Sequence, residues 1–139
     1  MQEYVTASEE ETKKLAADFA SKLSGGEFVE LIGDLGSGKT TFVRGAVEAM
    51  GSSARVKSPT FTVMNEYPVE GKTIKRVAHL DLYRFEDPVQ LEALALEDYK
   101  RADTVVFIEW PDIFEKPMIT AQHRIEFEFV DETTRKIRM

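Results

Sequence analysis

The sequence predicts one small α/β domain over residues 1–139, a mixed β-sheet flanked by helices. Three observations predict it. Short β-branched and aromatic runs alternate with stretches of helical periodicity, as strand–helix–strand units do. The run Thr104–Glu109 (TVVFIE) is compact and apolar, suited to a strand buried on both faces. The glycine-rich turn Gly33–Gly38 joins a predicted strand directly to a predicted helix.

The elements follow in chain order. Ser8 followed by Glu9, Glu10 and Glu11 reads as a helix start, a capping hydroxyl with acids in the first turn. Leu15, Phe19 and Leu23 then recur every four residues, giving one apolar stripe to about Leu23, before Gly25-Gly26 ends the helix. Glu27–Ile32 reads as a short strand, and a second helix runs from about Lys39 to Met50, where Gly51 stops it. Thr60–Tyr67 and Thr73–Leu82 are rich in β-branched and aromatic residues and read as a hairpin joined through Pro68–Lys72, which contains Gly71. Asp87-Pro88 opens a further helix with Leu91, Leu94 and Ala95 on one face. Arg124–Val130 alternates Ile125, Phe127 and Phe129 with Glu126 and Glu128, as a half-exposed strand does, and Lys136–Met139 is placed to pair with it.

Composition narrows the function classes. Apolar residues are 42% and charged residues 31%, ordinary for a soluble globular chain. No apolar run approaches the ~20 residues of a membrane helix. Met1-Gln2-Glu3-Tyr4 lacks the basic and apolar segments of a signal peptide, so the cytoplasm is the most economical compartment. With no cysteine, disulfides, thiolate metal sites and thiol catalysis are excluded. His79 and His123 are the only histidines, which argues against a histidine-based metal site. The net charge of −7 and the small basic clusters Lys72 to Arg76 and Arg135 to Arg138 disfavour unaided binding of RNA or DNA. Action on a nucleic acid delivered by partner proteins stays open.

The strongest chemical signal is Gly33-Asp34-Leu35-Gly36-Ser37-Gly38-Lys39-Thr40, which fits the phosphate-loop pattern G-x-x-x-x-G-K-[ST] without a mismatch. Glycines let the backbone turn sharply and aim its N–H groups inward. The helix that follows adds free N–H groups and a positive dipole end. Lys39 offers a cation to β- and γ-phosphates, and Thr40 offers a hydroxyl to Mg²⁺. A chance glycine-rich turn is the competing reading. The strand before and the helix after favour a nucleotide loop and a P-loop NTPase-like fold.

Hydrolysis also needs acids that place the metal and orient water. Glu109 closes the strongest buried strand, and Trp110-Pro111 turns the chain at the sheet edge where ligands bind in such folds. The alternative is a strand-end acid escaping into solvent. Asp81 lies in HLDLYR (79–84), where alternation puts His79, Asp81 and Tyr83 on one face. That face could equally be the polar side of a half-buried strand. Glu109 and Asp81 together could serve metal and water, in either division of labour. Ser58-Pro59-Thr60-Phe61 lies where related enzymes carry a γ-phosphate-sensing segment, but composition alone favours an ordinary loop. Trp110, the sole tryptophan, could stack on a base, meet a partner or merely pack.

GDLGSGKTTF (33–42), SPTF (58–61), HLDLYR (79–84) and IEWPD (108–112) together resemble, in order and spacing, the TsaE family of small bacterial P-loop ATPases. The likeness covers nearly the whole chain, including SEEET (8–12), and the combination is far more specific than the loop alone. It implies ATP and Mg²⁺ as ligands and a role beside a TsaB–TsaD protein pair. That pair, with TsaE, places threonylcarbamoyl on N6 of adenosine 37 in tRNA, so tRNA is met indirectly through partners. By this likeness Lys39 contacts phosphates, Thr41 adds a loop hydroxyl, Thr40 and Glu109 match magnesium positions, and Asp81 matches an acid required for the ATP cycle. Trp110 matches a residue near the nucleotide, and Thr12 and Arg135 border the adenine side. The guanine-selecting N-K-x-D pattern is absent, which agrees with adenine. A small-molecule kinase would need an arginine-bearing lid, which the short acidic-aromatic segment after Glu109 hardly provides. A nucleotide-dependent interaction module with negligible hydrolysis is the third reading.

Overall fold

The computed structural model describes residues 1–58, 64–82, 96–109 and 120–139. Two α-helices occur among them. The first, α1 (Glu9–Ser21), starts at Ser8, whose Oγ accepts the Glu11 N–H at 3.2 Å while the Glu11 carboxylate accepts the Ala7 N–H. Side chain and backbone thus satisfy amides that the first helical turn leaves without partners. The second, α2 (Lys39–Ala49), follows the glycine-rich loop.

Seven strands form one sheet: β1 (Glu3–Thr6), β2 (Phe28–Ile32), β3 (Met64–Pro68), β4 (Arg76–Asp81), β5 (Thr104–Glu109), β6 (His123–Phe129) and β7 (Arg135–Arg138). Their order is β1-β7-β6-β2-β5-β4-β3. The centre, β6-β2-β5-β4, is parallel, and both flanks are antiparallel. This is the mixed sheet of a P-loop domain. A 3-10 turn, Leu96–Tyr99, precedes β5.

Alternation along the parallel strands produces two apolar layers. Val29, Leu31, Val77, Val105 and Phe107 pack in one core cluster with Ala16, Ala20, Phe42, Val43, Ala46 and Val47 of the helices. Phe28, Ala78, Leu80, Val106 and Ile108 form the other, with Leu96, Tyr99 and Ala121 against it. The helices approach very closely. A Cβ on Gly45 of α2 would lie 2.6 Å from Lys13 Cα and 2.8 Å from Lys13 O, so only a residue without a side chain fits there. No helix among the described residues is long and apolar enough to cross a membrane.

The 60s–80s hairpin, the buried β5 and the β6–β7 pair match the sequence expectations. Four points differ. β1 was not expected: Tyr4-Val5-Thr6 is too short to show a period, and its antiparallel partner β7 lies at the far end of the chain. β4 is no half-exposed strand, because Val77 to Asp81 are all buried between β3, β5 and both core layers. Phe129 is half exposed instead of facing the core, and its ring stacks with the Arg135 guanidinium, 4.6 Å from its centroid. Both helices end slightly earlier than their apolar patterns. Tyr83, Arg84, the Asp87–Ala95 helix expectation, Pro59–Phe61 and Trp110–Asp112 lie outside the described residues.

Candidate functional site

The loop leaves β2 at Ile32 and enters α2 at Lys39. Gly38 is the N-cap residue with φ of 107°, a left-handed conformation that disfavours any side chain. No side chain caps α2, so its first amides remain available to a ligand. Ser37 N–H closes the turn onto Asp34 O at 3.1 Å.

Lys39 is buried, and its Nζ donates to the Gly33 carbonyl. Burial holds its ammonium below the usual lysine range, opposed by the charges of Glu109, Asp81 and Asp34. An anionic ligand would supply compensating negative charge. The two acids arrive by register. Asp81 and Glu109 are Cα partners in the parallel β4–β5 pair, so both stand at the carboxyl ends of adjacent strands. Their exposures are 5% and 3%, so neither is a surface acid and the solvent-escape reading of Glu109 fails. Glu109 Oε1 is fully buried and stands 3.5 Å from His79 Nε2, and among the described residues neither it nor either ring nitrogen of His79 has a hydrogen-bond partner. A buried carboxylate oxygen left unsatisfied is costly unless something binds there.

These groups open onto one cavity of about 430 Å³, within the range of small-molecule sites. Leu35, Gly36, Gly38, Lys39, Thr40 and Thr41 line its loop side, and Asp81, Glu109 and Ser58 its floor. Thr12 and Arg135 also line the cavity, Arg135 Cγ lying 3.6 Å from where a Gly38 Cβ would stand. Gly33, Asp34 and Ser37 belong to the loop without lining the cavity, and Trp110 lies outside the described residues. Five lining residues were not singled out from sequence: Ser8 and Glu9 at the start of α1, Glu132 and Thr133 in the β6–β7 turn, and Ser58, where the ordinary-loop reading prevailed. Only the turn carried a further signal. Asp131 Oδ1 accepts the N–H groups of Thr133 and Thr134 at 3.0 and 2.9 Å, the turn an Asp two residues before a Thr favours.

The donor set suits an extended anion together with a hard cation. Lys39 and the α2 amides could meet such an anion, while the Thr40 hydroxyl, Glu109 and Asp81 could offer oxygens to such a cation. Among the described residues no cluster of three or more His, Asp or Glu side chains holds a metal by itself. Mg²⁺ bound through phosphate oxygens, a hydroxyl and one or two carboxylates needs none.

The model of the threonylcarbamoyl adenosine biosynthesis protein TsaE family matches residues 6–137. The chain belongs to the TsaE family. The tRNA threonylcarbamoyladenosine biosynthesis protein TsaE of Aquifex aeolicus is 37% identical over 142 residues, covering 100% of this chain and 96% of that protein. The Bacillus subtilis TsaE is 35% identical over 132 residues, 95% of this chain and 80% of its own. The Haemophilus influenzae TsaE is 39% identical over 104 residues, 75% of this chain and 64% of that longer protein. Among solved structures, Bacillus subtilis YdiB superposes with a TM-score of 0.77 at 29% identity, covering 98% of this chain and 82% of YdiB. The matched residues 6–137 include both the glycine-rich loop and the strands β6 and β7.

Proposed function

We propose that this TsaE-family chain binds and hydrolyses ATP with Mg²⁺ and thereby supports N6-threonylcarbamoylation of adenosine 37 in tRNA, beside a TsaB–TsaD pair in the cytoplasm. The observation that carries the reading is the meeting of Lys39, Thr40, Asp81 and Glu109 on one cavity, with the two acids level on adjacent strands. Lys39 and the N-terminal amides of α2 hold the phosphates. Thr40 and Glu109 are the residues that would hold Mg²⁺, which neutralises charge on the phosphates when bound. Asp81, level with Glu109 on the neighbouring strand, accepts hydrogen bonds from the attacking water or from water bound to the metal. Thr12 and Arg135 lie where the base would rest. The net charge of −7 supports contact with tRNA through the partners, with no role for DNA or a membrane.

The test is ATP hydrolysis and tRNA modification by the isolated chain, by a TsaB–TsaD pair, and by both together. Slow hydrolysis alone, faster hydrolysis with the pair and multiple rounds of modification are expected. Trp110 directly follows Glu109, so its emission is expected to change on addition of ATP·Mg²⁺. Transfer of the γ-phosphate to a metabolite instead of water would make the chain a kinase. Binding without turnover, even with the pair, would make it a nucleotide-dependent interaction module.

A further inference from the structure

Thr6 ends β1 and is 4% exposed, yet it does not line the cavity. It nevertheless neighbours two residues that do line it. Its Oγ1 lies 2.7 Å from Thr12 Oγ1, and its Cα is the register partner of Arg135 in the β1–β7 pair. Thr12 is 2% exposed and contributes to the cavity lining, while Arg135 is held by its own Nη1 donating to Asp131 O at 2.6 Å and Thr134 O at 3.0 Å. One residue of a four-residue edge strand therefore joins α1 to β7.

The chemistry of the pair gives that junction a purpose. A threonine hydroxyl has one proton and two lone pairs. While Thr12 donates to Thr6, its lone pairs can accept from a ligand. While Thr6 donates to Thr12, the Thr12 proton can be given to one. Either arrangement fixes the Thr12 rotamer at the cavity wall, and a burial this deep leaves water no ready substitute.

We infer that Thr6 is a positioning residue for nucleotide binding, orienting the Thr12 hydroxyl toward the base edge of a purine nucleotide while leaving the phosphate site untouched. This rests on the nucleotide reading of the cavity. Thr6→Val keeps shape and β-branching but removes the hydroxyl, and Thr6→Ser keeps the hydroxyl. Binding of ATP·Mg²⁺ and of inorganic tripolyphosphate·Mg²⁺, which has phosphates but no base, is measured by calorimetry for both variants and for Thr12→Val. Loss of one buried hydrogen bond predicts ATP affinity about three- to ten-fold weaker in Thr6→Val. Tripolyphosphate affinity and kcat at saturating ATP should not change, and Thr6→Ser should restore ATP affinity. The double variant Thr6→Val/Thr12→Val should be no weaker than Thr12→Val alone.

Wild-type ATP affinity in Thr6→Val, with Thr12→Val weakened, would overturn the proposal and leave the nucleotide reading standing. Equal weakening of ATP and tripolyphosphate would also overturn it, showing a general disturbance of the fold. Failure of the wild type to bind ATP would sink the nucleotide reading itself. Should Thr6→Val not fold, Thr6→Ala carries the same comparison.

Discussion

The two walls of the cavity are built in opposite ways. The phosphate wall comes from one short stretch, Leu35 to Thr41, backed by acids from two adjacent parallel strands. The other wall is assembled from Thr12 in α1, Arg135 in β7, which packs against Gly38, and the turn residues Glu132 and Thr133, brought together by a strand pair joining the two ends of the sequence. A contiguous wall gets its geometry from local backbone rules: a turn, a free helix start, a lysine. An assembled wall depends on which strands meet. Its residues are ordinary until β1 lies against β7.

Four substitutions would break or sharpen that contrast. The largest effect is expected from Lys39→Ala. It removes the one phosphate-wall ammonium among the cavity-lining residues, and ATP turnover should fall on the order of 10³-fold in a folded protein. Circular dichroism with a hydrolysis assay checks it, and normal turnover would refute the loop assignment. Next come Glu109→Ala and Asp81→Ala. On the proposed roles in placing metal and water, each should lose turnover by about 10²-fold while still binding ATP. Calorimetry beside single-turnover kinetics separates the two quantities. If binding falls as far as rate, the acids are structural.

Gly45→Ala acts on neither wall directly. Its new methyl meets Lys13 backbone at 2.6–2.8 Å, so overpacking should cost about 1–3 kcal/mol of stability, read as a lower denaturant midpoint at unchanged m-value. An unchanged midpoint would mean the helices can part without loss. The smallest effect belongs to the assembled wall. Arg135→Ala forfeits its stacking on Phe129, and if Arg135 serves the base as proposed it should weaken ATP about two- to five-fold with tripolyphosphate binding intact. A loss shared by both ligands would place Arg135 at the phosphates instead.

The same contrast explains what could be read from sequence. The loop, α2 and the buried TVVFIE strand declare themselves because each obeys a local rule, and Glu109 inherits its place from the strand it ends. Asp81 was harder. Alternation alone cannot distinguish a polar face from a buried one, and only the neighbours β3 and β5 show that β4 is interior. Thr12 and Arg135 entered through family likeness, since no spacing links residues so far apart. Thr6 was invisible: a threonine in a four-residue strand gains meaning only from its partners. Ser8 was legible as a cap but not as cavity lining, because capping is local and the approach of α1 to the loop is not.

The contact at Gly45 has one more consequence. With Lys13 and Ala16 pressed onto a bare backbone, α1 and α2 have no slack at that crossing, and a packed interior passes displacement on without absorbing it. There the helix that follows the glycine-rich loop and the helix that begins at Ser8 meet as the two jaws of one clasp. A tilt of α2 when the terminal phosphate departs would swing Ser8 and Thr12 with it. The state of the nucleotide's tail would then be displayed at the far rim of the cavity, with no separate relay.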